Sequence, residues 1–228
     1  MRRLRVLSGV ARGMRMELDL AAERAYWLGR YERRTQDAIR RHLSPGAVFY
    51  DVGAHIGFFT LCAVRCGARV HAFEPAPANA ERLRRNAALN GAAVDVVEAA
   101  VWDGSATVRL VRRSSGSEWR IAEERDGGWR ATTPEGTAEA GDLADEVRAV
   151  TLDGYASAHE RPDLVKIDAE GAETEILRGA AALLREHSPV VICEVHTIRD
   201  PVEKLAAVLP PGYRVERLEG DRVLALPR

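Results

Sequence analysis

The stretch Phe49-Tyr50-Asp51-Val52-Gly53-Ala54-His55-Ile56-Gly57-Phe58-Phe59-Thr60 decides the fold. Ala47–Tyr50 is short, apolar and β-prone, while Phe58–Cys66 has the make-up of a buried helix closed by Gly67. Between them lies a turn with glycine at 53 and 57, where a missing side chain lets the backbone come close to a ligand. Moving outward, the same alternation recurs. Arg69–Phe73 is a second strand, stopped at Glu74-Pro75 because proline cannot continue a central ladder. Pro77 suits the first turn of the next helix and Gly91 its end. Val94–Val97, Leu164–Ile167 and Val190–Val195 are further strands. Ile176, Leu177, Ala180, Leu183 and Leu184 mark one face of a single helix between the last two. Asp200-Pro201-Val202-Glu203 opens another helix, and Tyr213–Leu218 with Arg222–Leu226 forms a hairpin around Gly220-Asp221.

Apolar strands alternating with helices predict one Rossmann-like α/β domain, a doubly wound, mostly parallel sheet with a C-terminal antiparallel hairpin. Residues 1–45 are expected to form a small N-terminal cap, with a hairpin in Leu4–Leu20 and a helix over Thr35–Leu43; residues 46–228 form the core. Residues 112–149 break the strand–helix pattern. They are rich in Ser, Gly, Thr, Glu and Arg, yet carry Trp119 and Trp129. Aromatic anchors in a polar insertion suggest a lid over the site; the alternative is a surface insertion with its tryptophans packed locally.

Composition narrows the function. At 228 residues and 46% hydrophobic, the chain supports one sizeable core. No apolar run has the roughly 20 residues of a membrane helix, and no apolar segment follows the basic start Met1–Arg5 as a secretion signal would require. A cytoplasmic protein without a membrane partner is expected. Cys62, Cys66 and Cys193 lack metal-ligand spacing. A net charge of −1 gives no global pull toward nucleic acid, and Arg2, Arg3, Arg5, Arg12 and Arg15 are best taken as a solvated face.

In such sheets ligands bind beyond the carboxyl ends of the strands. The 53–57 turn lacks the G-x-G-x-x-G spacing of a dinucleotide site. Asp51, at the strand tip, would repel a pyrophosphate but suits a cofactor carrying an ammonium and a sulfonium. Glu74 is placed to accept both hydroxyls of a ribose. S-adenosylmethionine is therefore the expected cofactor, lined by Asp51, Gly53, Ala54, His55, Gly57, Glu74 and Pro75.

Five segments together resemble the FkbM-type methyltransferases: Phe49–Thr60, Ala72-Phe73-Glu74-Pro75, Val150-Thr151-Leu152-Asp153, Leu164-Val165-Lys166-Ile167-Asp168-Ala169-Glu170-Gly171-Ala172-Glu173, and Ile192-Cys193-Glu194-Val195-His196. Gly29-Arg30-Tyr31-Glu32 is similar too. The resemblance implies methyl transfer from S-adenosylmethionine, usually to a hydroxyl oxygen in natural-product or glycan tailoring. It also implies Glu32 as a ligand for the cofactor's ammonium and Ala100 as backbone against the adenine. A solvated helix-start glutamate is the other reading of Glu32.

An aliphatic hydroxyl must lose its proton to a base or a metal. Glu194 and His196, like Lys166 and Asp168, are two apart at a strand end and so expected on one side of it. His196 is the expected base, Asp168 positions acceptor or cofactor, and Glu194 orients the imidazole or shares a metal. Lys166, inside an apolar strand, serves either the reaction or a buried ion pair. Asp168, Glu194 and His196 could hold a hard divalent cation, although their spacing is not diagnostic. The expected partner is a small-molecule or glycan acceptor, with no nucleic acid and with a homo-oligomer left open. Two alternatives stand beside this: a nucleic-acid or protein methyltransferase on the same fold, and an inactive cofactor-binding module.

Overall fold

The computed structural model describes residues 1–104, 107–112, 119–125, 128–131, 143–196 and 200–228. In chain order the elements begin with β1 (Arg2–Arg5), β2 (Arg15–Leu18), α1 (Arg24–Leu28) and α2 (Arg33–His42). Then follow β3 (Val48–Val52), α3 (Phe58–Arg65), β4 (Arg69–Phe73), α4 (Pro77–Ala88), β5 (Val94–Val97) and β6 (Ala100–Val101). Next come β7 (Thr107–Arg112), β8 (Trp119–Arg125), β9 (Gly128–Ala131), β10 (Leu143–Val150) and α5 (Leu152–Ala158). The chain continues through β11 (Leu164–Ile167), α6 (Glu173–Arg178), α7 (Ala181–Glu186) and β12 (Val190–Glu194). It finishes with α8 (Pro201–Ala206), β13 (Tyr213–Glu219) and β14 (Arg222–Pro227).

The central sheet has the order β5-β4-β3-β11-β12-β14-β13. The five strands from β5 to β12 are parallel, and β14 runs antiparallel to both its neighbours. Both faces are covered, which explains why β3 and β11 are buried at every position. Val48, Tyr50 and Val52 pack with Leu152, Ile176, Leu183 and Leu205 on one side. Phe49 faces the other side, with Ile39, Phe59, Leu61 and Leu83. The chain goes from β3 to β4 on one flank and returns to β11 on the other, so a crevice opens at the carboxyl ends of these strands.

The expected hairpin near the N-terminus is β1 paired with β2, and its Met16 and Leu18 are sealed against the α2–α3 side of the core. The expected single helix after β11 is instead two, α6 and α7, parted at Gly179-Ala180. The break has a tertiary cause. The carbonyl of Gly179 accepts from Asp153 N–H at 2.9 Å, and the Asp153 carboxylate in turn accepts from Ala182 and Leu183 N–H, capping α7. A second sheet, β6-β10-β7-β8-β9, follows β5; sequence periodicity did not reveal it. The expected lid at 112–149 overlaps β8, β9 and β10, while residues 113–118, 126–127 and 132–142 lie outside the described residues. Among the described residues no helix is long and apolar enough to cross a membrane.

Gly179 has an ordinary helical φ of −70°, so alanine fits its backbone but not its surroundings. An added Cβ would lie 2.2 Å from the Trp102 carbonyl oxygen. Gly179→Ala should therefore cost about 1–3 kcal/mol in urea denaturation, the usual range for overpacking. Gly104→Ala, with no atom of the described residues within 4 Å of its Cβ, is the near-neutral control.

Candidate active site

The 53–57 turn is held by paired main-chain bonds: Gly53 and Ala54 N–H both donate to the Phe73 carbonyl at 3.0 Å. Gly53 has φ +71°, and a Cβ there would come within 1.8 Å of the Asp168 carbonyl oxygen. The turn and the end of β11 thus touch backbone to backbone, which only glycine permits. His55 adopts φ +51°, a cost that local hydrogen bonding must offset. Its N–H donates to Glu74 Oε2 at 2.8 Å, while Glu74 Oε1 accepts from Ala76 N–H at 3.0 Å and Asn79 at 3.3 Å. Burial nevertheless raises the Glu74 pKa. Pro75 follows it at the same strand tip.

Beneath the turn sits the Lys166 ammonium, 4% exposed. It donates to the Gly53 carbonyl at 3.2 Å, faces Asp168 Oδ2 at 3.3 Å and Asp51 Oδ1 at 3.5 Å, and lies 5.1 Å above the Phe59 ring. Burial alone would lower its pKa, but Asp168 and Asp51 more than offset this and raise it. Asp168 moves the opposite way: burial opposes ionisation, yet Lys166 and His196 hold its pKa low. Asp51 is sealed at 0% exposure and also accepts from the Thr60 hydroxyl at 2.7 Å. It acts on the crevice through Lys166. Ala100 is likewise buried, paired with Ala149, so only its main chain is in play.

At the neighbouring tip, β12 ends at Glu194, so His196 escapes the pleat and the two side chains part company. The task the sequence gives Glu194, orienting the imidazole, falls to Glu173, whose Oε1 lies 2.7 Å from His196 Nδ1. His196 Nε2 faces Glu170 Oε2 at 3.6 Å. Burial would lower the imidazole pKa; Glu173, Glu170 and Asp168 overcome this and raise it to about 9. Glu194 pairs instead with Arg222, Nη2 to Oε1 at 2.9 Å, and the same guanidinium grips Glu32 at 2.7 and 2.9 Å. Burial and the Asp168 charge raise Glu194 to about 7.

Sequence reading missed Arg222, Glu173, Glu170 and the ring wall of Tyr26, Tyr31 and Phe58, with Tyr26 stacked 4.9 Å from Phe58. Glu170 and Glu173 stood inside a quoted motif, but nothing in their spacing marked them out. Ligand atoms of Asp168, Glu170 and His196 lie within 4.8 Å of one another, as do those of Glu32, Asp168 and Glu194. The expected cation trio is thus divided between two groups that share Asp168. Among the described residues of the crevice, carboxylates at 32, 51, 168, 170, 173 and 194 outnumber the cations Lys166, His196 and Arg222, so these side chains together favour positive charge.

A family model described as the methyltransferase FkbM domain matches residues 51–214. The chain belongs to this family. It is 30% identical over 187 residues to the 31-O-demethyl-FK506 methyltransferase FkbM of Streptomyces tacrolimicus, covering 73% of this chain and 72% of that one. Over 209 residues it is 26% identical to the hexuronic acid methyltransferase AglP of Haloferax volcanii, covering 89% and 80%. Its fold matches the crystal structure of an FkbM methyltransferase from Methylobacillus flagellatus, with a TM-score of 0.51 and 21% identity, covering 80% of this chain and 44% of that one.

The raised pKa values give a pH signature. The unfolded imidazole titrates near 6.5 and the folded one at about 9. His196 thus contributes stability that is full below about pH 6.5 and is lost as pH rises through 9. Glu194, whose folded form prefers its proton, acts in the same direction between about pH 4.5 and 7. Urea midpoints should fall from pH 6 to pH 10, and His196→Gln should flatten the alkaline part of that fall. Parallel curves for the two proteins would count against the Glu173–His196 pairing.

Proposed function

We propose that this protein transfers a methyl group from S-adenosylmethionine to a hydroxyl oxygen of a natural-product or sugar acceptor. One observation carries the reading: His196, fixed by a buried carboxylate, stands beside Asp168 on the same crevice as the glycine turn and Glu74. The names of two relatives, one a methyltransferase of 31-O-demethyl-FK506 and one of a hexuronic acid, support the acceptor class.

The residues present fit the cofactor. A crevice with excess carboxylate suits a ligand carrying an ammonium and a sulfonium. Glu74 and Pro75, beside Gly53, Ala54, His55 and Gly57, would hold its ribose, and the main chain of Ala100 would meet the adenine. Glu32 and Asp51 would supply negative charge toward its amino-acid end. When bound, the cofactor supplies a methyl group already activated by positive sulfur. What this chain adds is orientation and proton removal. His196 Nε2, once neutral, takes the acceptor's hydroxyl proton, and Asp168 steadies the resulting imidazolium. Lys166, saturated by Asp51, Asp168 and Gly53, keeps Asp168 ionised rather than touching the acceptor.

Three outcomes are expected. Glu74→Ala should weaken S-adenosylhomocysteine binding at least tenfold in calorimetry, since hydrogen bonds to a charged acceptor contribute about 1.5–3 kcal/mol. Unchanged affinity would remove Glu74 from the site. His196→Ala should lower turnover by roughly 10²–10⁴-fold. In the wild type, turnover should climb with pH toward the imidazole pKa of about 9, with the limb displaced downward when positive charge is bound nearby. The acceptor screen uses methyl-labelled S-adenosylmethionine with hexuronic acids and 31-O-demethyl-FK506. The two carboxylate-rich groups around Asp168 favour a second reading, in which a divalent cation lowers the acceptor's pKa. Complete inhibition by chelator, reversed by Mg²⁺ or Mn²⁺, would establish it in place of the histidine base.

A further inference from the structure

Glu173, at the rim of the crevice, is sealed from any acceptor. It is 1% exposed, against 20% for Asp168 and 25% for Glu170. Its place is set by the main chain, since it is the first residue of α6, whose body is anchored by the buried Ile176 and Leu177. Oε1 accepts two bonds, from Gly171 N–H at 2.8 Å and from His196 Nδ1 at 2.7 Å. Oε2 is buried and has no hydrogen-bond partner among the described residues. A buried carboxylate that lost one of its two donors would be left with a single amide, at substantial cost. The carboxylate therefore requires a proton on the nitrogen facing it.

We propose that Glu173 is the positioning residue of this active site, holding the neutral His196 ring as its Nδ1–H tautomer with Nε2 bare toward Glu170 and the crevice. The proposal rests on the reading of His196 as base. Of the two ring nitrogens only the one without hydrogen can accept a proton, so the tautomer decides whether the ring is a base on the crevice side. The acceptor's hydroxyl proton passes to Nε2; the Nδ1–H stays on Glu173, and the ring becomes the imidazolium. Among the described residues, the other groups facing the ring do not compete for Nδ1. Glu170 rivals Glu173 for the single proton of the neutral ring only from the Nε2 side, where 3.6 Å is beyond hydrogen-bond reach against 2.7 Å for Glu173. Asp168 acts through space, and Lys204 binds the His196 main-chain carbonyl at 3.0 Å. Glu194 is occupied by Arg222, and Lys166 by Asp51 and Asp168. A carboxylate that fixes the imidazole of a catalytic base in this way is a general device.

The test is ¹⁵N NMR of the imidazole nitrogens, with the ring titrated to its neutral form, in wild type, Glu173→Gln and Glu173→Met. Wild type should show His196 as Nδ1–H. Gln retains an acceptor oxygen and should keep that tautomer together with most of the turnover. Met fills similar space without an acceptor; it should shift the ring toward Nε2–H and lower turnover at least tenfold, leaving S-adenosylhomocysteine affinity within about twofold. Turnover is read with the acceptor found in the labelled-cofactor screen, and the NMR arm needs no acceptor. An Nε2–H ring in wild type overturns the proposal, which covers the case of a Met variant that fails to fold. So does a Met variant with unchanged tautomer or full turnover, or a Gln variant as impaired as Met. Full activity in His196→Ala would instead overturn the base reading itself, a separate result.

Discussion

The Lys166 ammonium is the point on which the rest of the crevice depends. A buried ion costs several kcal/mol to desolvate and is kept only if its partners are well placed. Here the partners are Asp51 from β3, Asp168 just beyond β11 and the Gly53 carbonyl from the turn, so one charge joins the tips of both switch-point strands to the loop between them. The chain uses arginine almost everywhere else, with Lys204 the one other lysine among its 33 basic residues. A compact ammonium lies above Phe59 and between two carboxylates, a place that calls for a point charge rather than a planar fork. With Lys166 in place Asp168 stays ionised, and its charge helps to raise both His196 and Glu194.

Most of the core was legible because each parallel strand is an apolar run with a clear stop. Glu74-Pro75 ends β4, and Gly67 and Gly91 mark the helix exits. What escaped the sequence has distant causes. The break between α6 and α7 depends on a carboxylate at Asp153, whose bonds to Gly179, Ala182 and Leu183 no local periodicity could disclose. The second sheet built on β6 and β10 pairs strands far apart in the chain, and its sequence alternates too weakly to stand out.

The site shows the same division. Residues at strand tips were identifiable from position alone: Asp51, Glu74, Asp168 and Glu194 all lie where the doubly wound sheet directs ligands. Their partners were not. The step from Glu194 to His196 looked like one face of a strand, but β12 stops between them, and that pairs the imidazole with Glu173. Arg222 becomes visible only once β14 is docked on β12, where it stands directly opposite Glu194. It then joins Glu32 of the early chain to β12.

That clamp has a consequence for the order of synthesis. In the sheet β13 touches β12 only through β14, which is made after it. A ribosome-bound chain that has reached Glu219 already contains the glycine turn, Lys166 and His196, but β13 has no strand to pair with and Glu32 and Glu194 have no guanidinium between them. Two neighbouring carboxylates without their counter-ion repel each other. The acidic wall of the crevice therefore cannot be completed before residues 222–227 slot in as the keystone between two strands that precede them in the chain.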